Sequence, residues 1–123
     1  MIARLTPAQI DYLESQLLGR LATVRPDGSP QNNPVGFRYN APLGTIDIGG
    51  YRMGTTQKFR NLAKEERVSL VVDDVVSTNP WTVRCLEIRC TAQALKDVDP
   101  YAQGMSRELI RLTHERVLAF GIE

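Results

Sequence analysis

The chain has 123 residues, 42% of them hydrophobic and 24% charged, with a formal net charge of +1. This reads as a soluble globular protein with one core, and no apolar run approaches the roughly 20 residues needed to cross a bilayer as a helix. The near-neutral charge, with no basic block, excludes the electrostatic footprint of a nucleic-acid binder.

The opening stretch MIARLTPAQIDYLESQ has neither a long apolar centre nor a small-residue cleavage site, so it reads as mature structure and a cytoplasmic location is expected. Thr6, Pro7 and Gln9 are a helix-start signature: a hydroxyl cap, a proline in the first turn and an amide that reaches back to the cap. Ile10, Leu13 and Leu17 recur at helical spacing, and Gly19 is the expected terminator before a first strand, RLATVR. Asp27 and Gly28 signal a hairpin, after which Val35, Phe37 and Tyr39 are expected on one face of a second strand. TIDIG forms a third strand, and Phe59, Leu62 and Ala63 mark a short helix over residues 56 to about 64.

RVSLVVDD reads as a central fourth strand, followed by a loop, VVSTNPW. Residues 82–95 then carry the cleanest period-2 pattern in the chain, with Leu86, Ile88, Cys90, Ala92 and Ala94 on one side. The tail is ambiguous: Leu109, Leu112 and Arg116 suit a helix, whereas Ile110 with Leu112, and Leu118 with Phe120, suit strands. Five or six strands with a helix at the start and another after the third predict a small closed barrel, mainly β with short helices, in a single domain over residues 1–123.

Much familiar chemistry is missing from the sequence. His114 is the single histidine and no metal-ligand spacing is present, so no metal site is expected. There is no G-x-S-x-G, Walker lysine or dinucleotide fingerprint. Cys85 and Cys90 are five positions apart in one strand, hence on opposite faces, and are expected as unbonded buried or half-buried thiols. An enzyme built on this chain would take its reactive atom from a cofactor.

The stretch GGYRMGTTQKFRNL admits two readings. Thr56 caps a helix while Arg52, Lys58 and Arg60 lie in water, or the helix start, Thr55, Thr56 and the three cations gather around an anion such as a phosphate.

The ordered motifs GRLATVRPDGSPQNNPV, TIDIGGYRMGTTQKFRNL, RVSLVVDD and PWTVRCLEIRCTAQAL resemble the split-barrel flavin and deazaflavin superfamily that includes the pyridoxamine phosphate oxidases. The similarity runs over residues 5–122 and is closer to the branch that uses coenzyme F420, the deazaflavin, near a subgroup containing reductases of tetracycline-type dehydro intermediates. It implies a six-stranded split β-barrel (the FMN-binding split barrel), a tail made of strands, and a homodimer with cofactor sites at the subunit interface.

By that resemblance Lys58 falls on the phosphate-binding lysine and Thr56 on a position that is often serine or another polar phosphate contact, next to the Thr55, Gln57, Arg52 and Arg60 of the same stretch. Asn32, Asn33, Pro34 and Val35 match the strand beside the ring's pyrimidine edge. Trp81 matches an aromatic residue near the cofactor, often from the partner subunit, and Arg84 is a candidate for orienting substrate or supporting the dimer. Gln57 stands where FMN oxidases commonly place arginine, which favours a singly charged phosphodiester over the FMN phosphate. No catalytic side chain is assigned beyond Tyr51, a weak candidate for a cofactor contact and proton donor. The implied activity is hydride transfer from reduced F420 to a conjugated, electron-poor small molecule such as an α,β-unsaturated ketone. An FMN-dependent oxidase or flavin reductase, and a non-catalytic F420 or flavin carrier, are the alternatives.

Overall fold

Helix α1, Pro7–Ser15, begins at the capping box expected of its sequence: the Gln9 N–H donates to the Thr6 hydroxyl at 3.1 Å, and the Thr6 N–H donates to the Gln9 side chain at 3.0 Å. The computed structural model describes residues 4–122; residues 1–3, the start of the stretch read as mature structure, lie outside the described residues. α1 ends before Leu17, which is 88% exposed and not part of the buried stripe that Tyr12 and Leu13 form. Gly19 does not end the helix either. It lies inside β1, Leu18–Val24, where an added Cβ would stand 2.8 Å from Leu70 of the neighbouring strand, so close strand packing explains this glycine.

β1 turns through Gly28, at φ +88°, into β2, Pro30–Gly36. The expected second strand then breaks at Phe37. β3, Arg38–Asn40, leaves β1 and pairs with β4, Thr45–Ile48, so Val35 and Tyr39 belong to two strands and the sheet has seven strands where six were expected. A 3-10 turn, Met53–Thr55, leads to α2, Gln57–Asn61, which is shorter than its apolar stripe predicted. β5 runs Arg67–Thr78 and β6 Trp81–Leu95; residues 75–78, expected as loop, extend β5, and Trp81 opens β6. The turn between them carries a cis Asn79–Pro80 peptide. The tail is one strand, β7, Leu109–Phe120.

The strands form one antiparallel sheet in the order β2-β1-β5-β6-β7-β4-β3, curled into a split half-barrel. Its inner face is a set of cross-strand apolar rows: Leu21 opposite Leu70 opposite Ile88, and Ile46 opposite Leu112 opposite Ala92. All six are buried, and each large one contributes about 1.5–3 kcal/mol on leaving water. Cys90 is buried, Cys85 half-buried, and both are free.

Two bulges curl the sheet. Pairing between β5 and β6 slips at Val76, and pairing between β6 and β7 slips at Glu115. A bulge bends its strand and increases the local twist. On β7 it also changes which parity faces inward: Ile110, Leu112 and His114 are buried before Glu115, and Val117 packs against the core after it.

α1 is fastened by a polar cluster. The Tyr12 hydroxyl donates to Asp74 at 2.7 Å, and the Arg84 guanidinium donates twice to the same carboxylate, at 3.0 and 2.8 Å, while stacking 4.9 Å from the Tyr12 ring centre. The Tyr12 hydrogen bond and ring contact secure the helix to the sheet, and both Arg84 hydrogen bonds hold the Asp74 carboxylate in place for it.

Candidate cofactor site

β2 is an edge strand, so half of its backbone groups face away from β1. Opposite that edge runs the segment leaving β4, and between them lies a pocket of about 410 Å³. Pro34 and Val35 line one side; Tyr51, Arg52, Thr56 and Lys58 line the other, with four residues the sequence reading did not assign to the site, Gly36, Gly49, Gly50 and Met53. The sequence-predicted residues therefore converge from two elements that are neighbours only because the sheet curls.

Lys58 is the distinctive group. It is half-buried, burial lowers its pKa below the ordinary 10.5, and no ion pair or hydrogen bond to it is formed among the described residues. A cation drawn partly out of water without a counter-ion is able to take an anion as its partner. α2 has only five residues, so its dipole is small and the charge at this site comes chiefly from the Lys58 and Arg52 side chains. Thr56 is committed locally: its hydroxyl donates to the Met53 carbonyl at 2.7 Å and accepts from the Phe59 N–H at 3.3 Å, which makes it the helix cap.

The remaining predicted residues lie elsewhere. Thr55 and Arg60 line a separate, larger cleft of about 810 Å³ with Phe59 and Lys96. Gln57 uses both ends of its amide on its own helix, donating to Asn61 at 2.6 Å and accepting from Arg60 at 2.9 Å. Asn32 is exposed on β2. Asn33 sits opposite Leu21 on the inner face, and its Oδ1 is buried without a hydrogen-bond partner among the described residues. Trp81 is 69% exposed at the start of β6, away from this pocket in the single protomer.

Sequence reading missed Asn61, which is fully buried and donates to Thr23 at 2.9 Å and Gln31 at 3.0 Å, tying α2 to the β1–β2 hairpin. The signal available was Gln57 and Asn61 four apart on one helical face. Among the described residues no group of three or more His, Cys, Asp or Glu is arranged to hold a metal, and no helix is long and apolar enough to cross a membrane.

The sequence pattern of the family described as pyridoxamine 5'-phosphate oxidase matches residues 5–120. The chain belongs to that family. It is 44% identical over 122 residues to the 5a,11a-dehydrotetracycline/5a,11a-dehydrooxytetracycline reductase of Streptomyces rimosus subsp. rimosus, covering 96% of this chain and 84% of that protein. Two solved structures share the family fold. A conserved hypothetical protein of Mycobacterium tuberculosis superposes with a TM-score of 0.76 at 20% identity, covering 97% of this chain and 86% of that one. A protein named as an F420 reductase superposes with a TM-score of 0.71 at 24% identity, covering 93% and 98%.

Proposed function

We propose that this chain is an oxidoreductase, a reductase dependent on coenzyme F420 that acts on a conjugated, electron-poor small molecule. The observation that carries the reading is Lys58, an unpaired, half-buried ammonium on the wall of the 410 Å³ pocket. That volume lies within the range of small-molecule and cofactor sites. The 44% identity to a reductase of a dehydrotetracycline supports both the reaction class and an unsaturated ketone as acceptor.

The residues present fit the cofactor. Lys58 would hold the phosphodiester and Arg52, exposed at the rim, would face the acidic tail. The outer edge of β2 offers backbone hydrogen-bonding groups for the pyrimidine edge of the ring. When bound in reduced form, the deazaflavin would supply the hydride. The chain's own part is to fix the orientation of ring and acceptor and to keep water out of the pocket. Tyr51, 80% exposed at the rim, would pass a proton from solvent.

Lys58 and Arg52 are the cations that line the pocket among the described residues, and Gln57 beside them adds no charge. With Arg52 facing the tail, Lys58 alone meets the phosphate, and one phosphodiester charge suits it better than the nearly double charge of the FMN phosphate. A homodimer is part of the same reading, with Trp81 presented to the partner subunit.

Titrating the purified protein with F420 and with FMN, side by side, tests the cofactor. Tighter binding of F420 is expected, and binding of FMN alone would overturn the reading. Oxidation of reduced F420 by a panel of α,β-unsaturated ketones tests the reaction; tight binding without turnover by any of them would favour a carrier.

A further inference from the structure

We propose that Ser106 and Tyr101, on the connection between β6 and β7, are positioning residues that hold one wall of the pocket in the shape its anion requires. The inference rests on the reading of Lys58 as an anion grip. Neither residue lines the pocket; both act on the segment over residues 49–53 that does.

Ser106 closes that segment like a clip. Its hydroxyl donates to the Gly50 carbonyl at 3.1 Å and accepts from the Met53 N–H at 3.0 Å, and its own N–H donates to the Gly50 carbonyl at 2.8 Å. One serine thereby fixes the distance between the two ends of the loop. The Met53 carbonyl in turn accepts from the Thr56 hydroxyl at 2.7 Å and from the Thr56 N–H at 3.1 Å, and Thr56 caps the helix that carries Lys58. A continuous run of hydrogen bonds thus joins Ser106 to the base of the Lys58 helix.

Tyr101 fixes the start of the same segment. Its hydroxyl accepts from the Gly49 N–H at 3.2 Å, and its ring lies 4.6 Å from the Arg38 guanidinium, which is ion-paired to Asp47 at 3.5 Å. Gly49 is what lets the connection lie against the loop, since an added Cβ would stand 2.6 Å from Met105 Sδ and 3.2 Å from the Tyr101 ring. A loop whose backbone groups faced only water would open readily; this one has partners for its Gly49, Gly50 and Met53 backbone groups.

A purely structural role and a positioning role differ in which ligands they affect. Affinities would be measured for coenzyme F420 and for its riboside, which lacks the phosphate and tail, or for FMN and riboflavin if FMN is the cofactor that binds. Ser106→Ala is expected to weaken the phosphate-bearing ligand about tenfold and the riboside less than about twofold, and Ser106→Thr, which keeps the hydroxyl, to restore the difference. Tyr101→Phe removes the acceptor for the Gly49 N–H and the 3.5 Å donation to the Asp47 carbonyl and keeps the ring beneath Arg38; it is expected to show the same selectivity and carries the test if Ser106→Ala does not fold.

Equal losses for both ligands, or no loss for either, would overturn the positioning role while leaving Lys58 in place. If Lys58→Ala leaves the affinity of the phosphate-bearing ligand unchanged, the anion reading itself fails, and this inference with it.

Discussion

The Arg111 guanidinium reaches across the β4–β7 ladder to grip both oxygens of Asp47, at 3.0 and 3.2 Å. The same carboxylate faces Arg38 across the β3–β4 ladder and accepts from Asn40 at 2.8 Å and from Thr45 at 3.0 Å, in a place with no solvent exposure. Asp47 is therefore the polar centre of the sheet edge that supports the pocket.

Asp47→Asn should cost about 3 kcal/mol, because it leaves Arg111 partly buried without a counter-charge. Urea unfolding would measure this as a lower midpoint at unchanged slope. Burial alone would raise the Asp47 pKa, but the hydrogen bonds from Arg111, Asn40 and Thr45 outweigh it and hold the carboxyl below its ordinary value. The folded chain thus binds this proton less readily than the unfolded chain. The contribution is present in full above about pH 4 and is lost as pH falls through the folded value. The stability gap between wild type and Asp47→Asn should accordingly narrow in acid.

Lys58→Ala should reduce affinity for a phosphate-bearing cofactor by tenfold or more, the worth of about 1.5–3 kcal/mol for a charge-assisted hydrogen bond. Because burial already disfavours the ammonium, wild-type affinity should begin to fall at a pH below the 10.5 of an ordinary lysine. Titrations across alkaline pH would show that fall in wild type and its absence in the variant.

Asn61→Leu should lower stability by about 3 kcal/mol, since Thr23, Gln31 and Gln57 each lose a partner and Thr23 is buried. Thermal unfolding measures it. The loss would fall on all ligands alike, in contrast to the selective loss expected at Ser106.

Val75, Val76, Trp81 and Phe120 are exposed apolar residues near one end of the sheet, linked by the pairings of Val75 with Val83 and Phe120 with Cys85. If a second copy covers them, Trp81→Glu should convert a dimer to a monomer in analytical ultracentrifugation and weaken cofactor binding together. A variant that stays dimeric and binds as before would count against Trp81 as an interface residue.

Features set by near neighbours were legible in the sequence. The α1 cap needs only Thr6, Pro7 and Gln9, and the inner row of β6 follows from its alternation at Leu86, Ile88, Cys90 and Ala92. Features set by distant partners were not. The break at Phe37 arises because β3 pairs with β4, and the one local hint is Gly36 just before it. The tail resisted assignment because Glu115 interrupts a single strand and shifts its parity, so no one period describes residues 109–120. At the site, the resemblance pointed to Lys58, Thr56 and Val35, which the fold brings to one pocket, whereas Ser106 and Tyr101 act through partners more than fifty positions away.

The two bulges have a consequence well beyond their own strands. Because the pocket lies between β2 and the segment leaving β4, its width is a property of the sheet's curvature, and that curvature is raised at Val76 and Glu115 on the central strands. Deleting Glu115 would flatten the sheet and draw the two walls apart without altering any residue that lines them. An aperture of this kind is tuned from behind, so single-residue insertions and deletions in β5 and β7 are a route to changing its width that substitutions at the rim do not provide.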